Sequence, residues 1–70
     1  MNDLMFEQKV QENGLKFKFL AHKIGITEFG LIKKRKGQIP WKVSEINTLS
    51  ELLHLTENER DVIFGLKSSI

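Results

Sequence analysis

The chain has 70 residues, a net charge of +2, no cysteine and two histidines. That length supports one domain with a small core, at a size where folding needs good packing or dimerisation. The composition leaves no disulfide or thiolate metal site and little for zinc. No apolar run approaches the roughly 20 residues of a membrane span, and the start of the chain lacks the basic and apolar regions of a signal peptide, so a cofactor-free, soluble, cytoplasmic protein is expected.

A first helix is predicted from Asp3 to Glu12, capped by Asn2 or Asp3 and stopped by Asn13-Gly14, with Phe6 and Val10 turned inward at i and i+4. Leu15 extends the core beyond that turn. The second helix begins near Lys16 or Phe17 without a Ser, Thr, Asp or Asn cap, a local weakness of about 1 kcal/mol. Its residues Leu20, Ala21 and Ile24 share an inner face, and the small Ala21 admits a neighbouring helix. Gly25 then ends it, Ile26 plugs the corner, and Thr27 caps a third helix from about Glu28 to Lys36. Gly37 closes that helix behind a basic last turn, Lys33 to Lys36, whose charge suits the negative end of the dipole.

Pro40 makes Ile39 extended and separates the third helix from a fourth, predicted from Val43 to His54. Val43, Ile46, Leu49, Leu52 and Leu53 keep a period near 3.6, with Ser44, Glu45, Asn47, Ser50 and Glu51 assigned to the solvent side. Thr56 and Glu59 form a capping box for a fifth helix with Val62, Ile63 and Phe64 inside, ended by Gly65; residues 65–70 read as a tail. The result is an all-α arrangement of five helices in which the second and third, within about 17–37, have the layout of a helix-turn-helix.

Charge is polarised along this layout. Eight of the eleven basic residues fall between Lys16 and Lys42, with Glu28 the one acid among them. Such a face can orient toward a polyanion, or can simply be solvated. Catalysis finds no support: His22 and His54 sit on separate predicted helices, no serine has an activating motif, and no glycine-rich phosphate loop is present.

The segment LAHKIGIT, the spacing of Ala21, Gly25, Leu31 and Gly37, and the downstream VSEINTLSELLHLTENE together resemble the phage Cro and repressor type (XRE-like) of helix-turn-helix regulator, in particular small switch proteins of temperate phages of Gram-positive bacteria. The resemblance covers nearly the whole chain and implies a five-helix lambda-repressor-like domain whose third helix enters the major groove. By register, Thr27, Glu28, Phe29, Ile32 and Lys33 then take groove-facing positions, while Lys34, Lys36 and Lys42 are candidate phosphate contacts and Ala21, Gly25 and Leu31 are structural. Double-stranded DNA is the implied partner, bound by a homodimer or by a heterodimer with a phage repressor.

Four positions depart from the family pattern. Glu28 and Phe29 stand where Gln, Ser, Asn or Arg is usual, Phe17 where Gln is common, and Arg35 where an apolar residue often seals the core. Glu can accept from cytosine and Phe can touch a thymine methyl, yet no bidentate Arg or Gln opens the helix to read guanine or adenine. Phe17, Phe19, Phe29 and Ile32 are hard to bury together in so small a core. Either the second and third helices pack differently, with Phe17 joining Ala21 in the core, or Phe19, Phe29 and Ile32, with Glu28, form a surface for a protein partner; for Phe17 the core is preferred. Trp41 is read as a loop anchor in preference to a base-stacking group. Two functions follow from the resemblance: an operator-binding regulator of a lysogeny/lytic switch, or a Cro-positioned antirepressor that binds the phage repressor and blocks its hold on DNA.

Overall fold

A computed structural model describes residues 1–66 of the chain. It contains α1 (Asp3–Glu12), α2 (Phe17–Ile24), α3 (Glu28–Arg35), α4 (Val43–Leu52) and α5 (Glu57–Phe64), with no strand among the described residues. The expected tail lies outside the described residues from Lys67 onward.

All five helices feed one buried cluster. Phe6 and Val10 come from α1, Leu20 and Ala21 from α2, Leu31 from α3, Ile46 and Leu49 from α4 with Leu53 just beyond it, and Ile63 and Phe64 from α5. Trp41, in the loop before α4, sets its ring 5.2 Å from Phe64 in an edge arrangement and 6.2 Å from Phe6, so it anchors the loop as expected. Its indole Nε1 is buried without a hydrogen-bond partner, so the anchor is a packing one.

Caps follow the sequence closely. Asn2, Thr27 and Thr56 accept first-turn amide bonds from Met5, Gly30 and Glu59, and α2 starts at Lys16 with no side-chain cap. The α2 helix ends in a 6→1 bond from Ile26 N to Ala21 O across Gly25, whose φ of 76° is one that a Cβ would oppose. The same closure after α4 uses His54 at φ 53°, with Leu55 N bonding Ser50 O. That explains why α4 stops at Leu52, short of the expected His54: the histidine is the left-handed residue of the stop and lies outside the helix.

Three inward or outward assignments need correction. Val43 is 74% exposed and Val62 is 42% exposed, whereas Glu45, assigned to the solvent side, is buried at 5%. At 100° per residue the inner arc of α4 passes through Glu45, Ile46, Leu49, Leu52 and Leu53, and Val43 falls off its edge. In α5 the arc centred on Ile63 and Phe64 leaves Val62 about 150° away, on the outer side of the helix.

Long-range bonds hold the ends of the helices together. Asn2 N donates to Ile63 O at 2.7 Å, joining the start of α1 to the end of α5. The Asn13 side chain donates to both Lys9 O and Leu53 O, joining the end of α1 to the end of α4. Leu49, fully buried on the helix that packs against α2, is the central test of this core. Leu49→Ala is expected to cost about 2–5 kcal/mol in urea unfolding, most of the stability of so small a domain; an unchanged unfolding midpoint would mean that the core is misassigned.

Candidate functional site on the third helix

The α3 helix spans eight residues and presents one row of side chains to solvent. Thr27 caps it, its Oγ1 accepting from Gly30 N at 2.9 Å, and Glu28 is exposed in the first turn, where its charge suits the positive end of the dipole. Leu31 points into the core. On the opposite side Phe29 is 64% and Ile32 42% exposed, three residues apart and hence on neighbouring turns of one face. The Lys33 ammonium lies 4.5 Å from the Phe29 ring centroid, a cation–π contact that covers one side of the ring. Beside Ile32, a small groove of about 170 Å³ is lined by Asp3, Ile32, Arg35 and Lys36.

The basic run is divided among different tasks. Lys34, expected as a phosphate contact, is instead buried at 5%: its Nζ donates to Glu45 Oε1 at 2.6 Å and to Pro40 O at 3.2 Å. It therefore has no access to a phosphate. Arg35 makes a two-pronged contact with Asp3 (Nε to Oδ1 2.8 Å, a terminal nitrogen to Oδ2 3.0 Å) and lays its guanidinium 4.0 Å over the Phe17 ring. Lys36 and Lys42 remain exposed, one at the end of α3 and the other at the start of α4.

Phe19 lies on α2 and lines a groove formed by the α1–α2 turn and the outer side of α2, to which no residue of α3 contributes. Of the expected partner surface, Glu28, Phe29 and Ile32 are on α3 and Phe19 is on α2.

Glu45 is the residue that pattern reading missed. Its Oε1 accepts from both Lys34 Nζ and the Lys42 N–H, the latter at 2.9 Å as the returning half of a capping box at the start of α4. The signal was a Glu three residues after the helix cap, facing a run of lysines across a short loop.

No protein-family model matches the chain, and neither does any curated protein or solved structure. Among the described residues no group of His, Cys, Asp and Glu is placed to hold a metal ion, and no helix is long and apolar enough to cross a membrane.

Burial pushes the Glu45 carboxyl up, but the Lys34 ammonium and the Lys42 N–H outweigh it and hold it below the ordinary Glu value. A carboxyl held low only in the folded state contributes stability that is present in full above roughly pH 4.3, the ordinary Glu value, and is lost as pH falls through the depressed one. Glu59, held low by Lys9 and the Thr56 N–H, titrates in the same direction. Wild type is therefore expected to lose stability more steeply than Glu45→Gln as pH falls below about 4.3 in acid denaturation. Equal slopes would place the acid sensitivity elsewhere. At neutral pH, Lys34→Ala leaves a buried carboxylate unpaired and should cost about 3–5 kcal/mol, while Lys34→Met with Glu45→Leu should recover most of that loss.

Proposed function

We propose that this chain is a small regulator of the phage-switch type, built on a lambda-repressor-like helix-turn-helix, and that its α3 face binds the repressor of its own switch and keeps it off operator DNA. The observation that carries this reading is the exposure of Phe29 and Ile32 on consecutive turns of α3. A groove-reading helix gains little from such a pair, since duplex DNA offers only scattered thymine methyls. An apolar patch on a protein removes both side chains from water, and a fully buried Phe gains roughly 1.5–3 kcal/mol by transfer. The removal of Lys34 into the interior and the use of Arg35 as a lid on Phe17 support the same reading, because they engage two of the four cations of the run Lys33 to Lys36 within the molecule. Exposed Glu28 can pair with a base-reading or phosphate-holding cation of the repressor, so that partner and operator compete for one surface.

Direct operator binding through the same helix is the second reading. It is favoured by exposed Lys36 and Lys42 at one end of α3 and by the Thr27 cap at the other. Both readings place the protein in the host cytoplasm, with no cofactor and no small-molecule substrate.

Phe29→Ala separates them. With the fold unchanged by circular dichroism and thermal melting, repressor association measured by calorimetry is expected to weaken by about 2 kcal/mol, roughly thirtyfold. A variant that binds repressor as before but no longer discriminates among operator duplexes would overturn the antirepressor reading and make Phe29 a base contact. In that case replacing Lys33 and Lys36 by Ala would lower the salt slope of DNA binding by roughly 0.9 per lost phosphate contact.

A further inference from the structure

The groove that receives Phe19 is a surface in its own right. It is a shallow, open groove of about 550 Å³ lined by Gly14, Leu15, Lys16, Lys18, Phe19 and His22, a shape suited to a peptide lying across it more than to an enclosed small molecule. Its apolar part is half-buried Leu15 and the Phe19 ring, which is 39% exposed on the side of α2 opposite the buried Leu20 and Ala21. Its charged wall residues, Lys16 and Lys18, have one sign; His22 also lines it, no acid does, and Lys23 holds its ammonium 5.4 Å from the Phe19 centroid. Among the described residues, Lys16, Lys18 and Lys23 form no ion pair, as is also true of Lys33, Lys36 and Lys42.

We propose that this groove is a second docking site, distinct from the α3 face, and that it takes an acidic amphipathic segment of a partner protein. An aromatic or aliphatic side chain of that segment would lie on Phe19 and Leu15, and flanking carboxylates would meet Lys16, Lys18 and Lys23. Charge complementarity selects this occupant: a groove with an apolar floor and a wholly basic rim rejects basic segments and leaves uncharged ones without partners for its cations. The rim also includes the N-terminal end of α2, whose dipole has the same positive sign. Duplex DNA could meet the cations but would leave the Phe19 ring and Leu15 against water or sugar, so a peptide fits the whole surface and a phosphate backbone only its edge.

The test uses the full chain and a fluorescein-labelled synthetic peptide with helical propensity, carrying Phe and Leu at i and i+4 on one face and Glu on the others. Anisotropy is expected to show binding, with amide chemical-shift changes at Leu15 to Lys23. Phe19→Ala, and separately Lys16→Glu with Lys18→Glu, should each weaken it by about tenfold or more, and Phe29→Ala should leave it unchanged. The Lys variants alter only exposed positions, so the result does not depend on the fold tolerating loss of Phe19. Absence of binding, equal binding of a Lys-for-Glu peptide, or shift changes on α3 would each overturn the proposal. So would a DNA duplex whose binding responds to the Lys16 and Lys18 changes while the peptide's does not. Because Phe29→Ala reports on the α3 face alone, failure of this groove and failure of the antirepressor reading are separately visible.

Discussion

The interaction on which the arrangement most depends is the buried contact of Lys34 with Glu45. One carboxylate oxygen receives the Lys34 ammonium at 2.6 Å and the Lys42 amide at 2.9 Å, while the same ammonium donates to Pro40 O. Three otherwise separate pieces, the last turn of α3, the loop through Pro40 and the first turn of α4, are therefore pinned at one point. Such a pair need not add net stability over an apolar substitute of the same volume, since desolvating both ions is costly. What it supplies is a defined register: with Lys34 drawn inward, Leu31 faces the core and Phe29 and Ile32 face out. The exposed face of α3 is thus set partly by an ion pair on its opposite side.

Arg35 and Phe17 show a second coupling. The resemblance to phage regulators leads one to expect a polar residue at 17 and an apolar one at 35, and this chain has the two reversed. The structure brings them into contact, with the Arg35 guanidinium 4.0 Å over the Phe17 ring and Asp3 holding its edge. The ring supplies the apolar material that the arginine lacks, and the flat guanidinium covers the ring while remaining hydrogen-bonded. Two departures that look unfavourable singly make one packed unit. Its consequence for α3 is milder than that of Lys34: a half-buried cation is committed to Asp3 and the Phe17 ring.

The five helices and most of their ends were legible because they rest on local chemistry: Asn2, Thr27 and Thr56 as caps, glycines at the turns, and apolar residues at helical spacing. Leu20, Ala21, Leu31, Leu49 and Leu53 were recognisable as core for that reason. The misreadings arose where a tertiary partner decided the outcome. Glu45 and Lys34 are buried only because each neutralises the other across eleven residues, and a hydrophobicity pattern counts both as surface. Val43 and Val62 are apolar but sit outside the inner arcs of their helices. His54 stands where a glycine would have announced the end of α4. At the candidate site, Phe29 and Ile32 were visible as misplaced hydrophobes, whereas the groove that Phe19 lines depends on how the α1–α2 turn sits against α2.

What emerges on α3 is a helix with one lysine turned inward, an arginine committed to a neighbouring ring and carboxylate, and an apolar pair turned out. That combination suits competition for a DNA-binding protein better than competition for DNA itself. The most direct measurement is fluorescence anisotropy of a labelled operator duplex carrying the bound repressor, titrated with this chain. The account predicts that the duplex is released as the chain is added, while the chain alone leaves the free duplex unchanged at physiological salt. A repressor–operator complex unaffected by the chain, together with sequence-selective binding of the duplex by the chain alone, would contradict it.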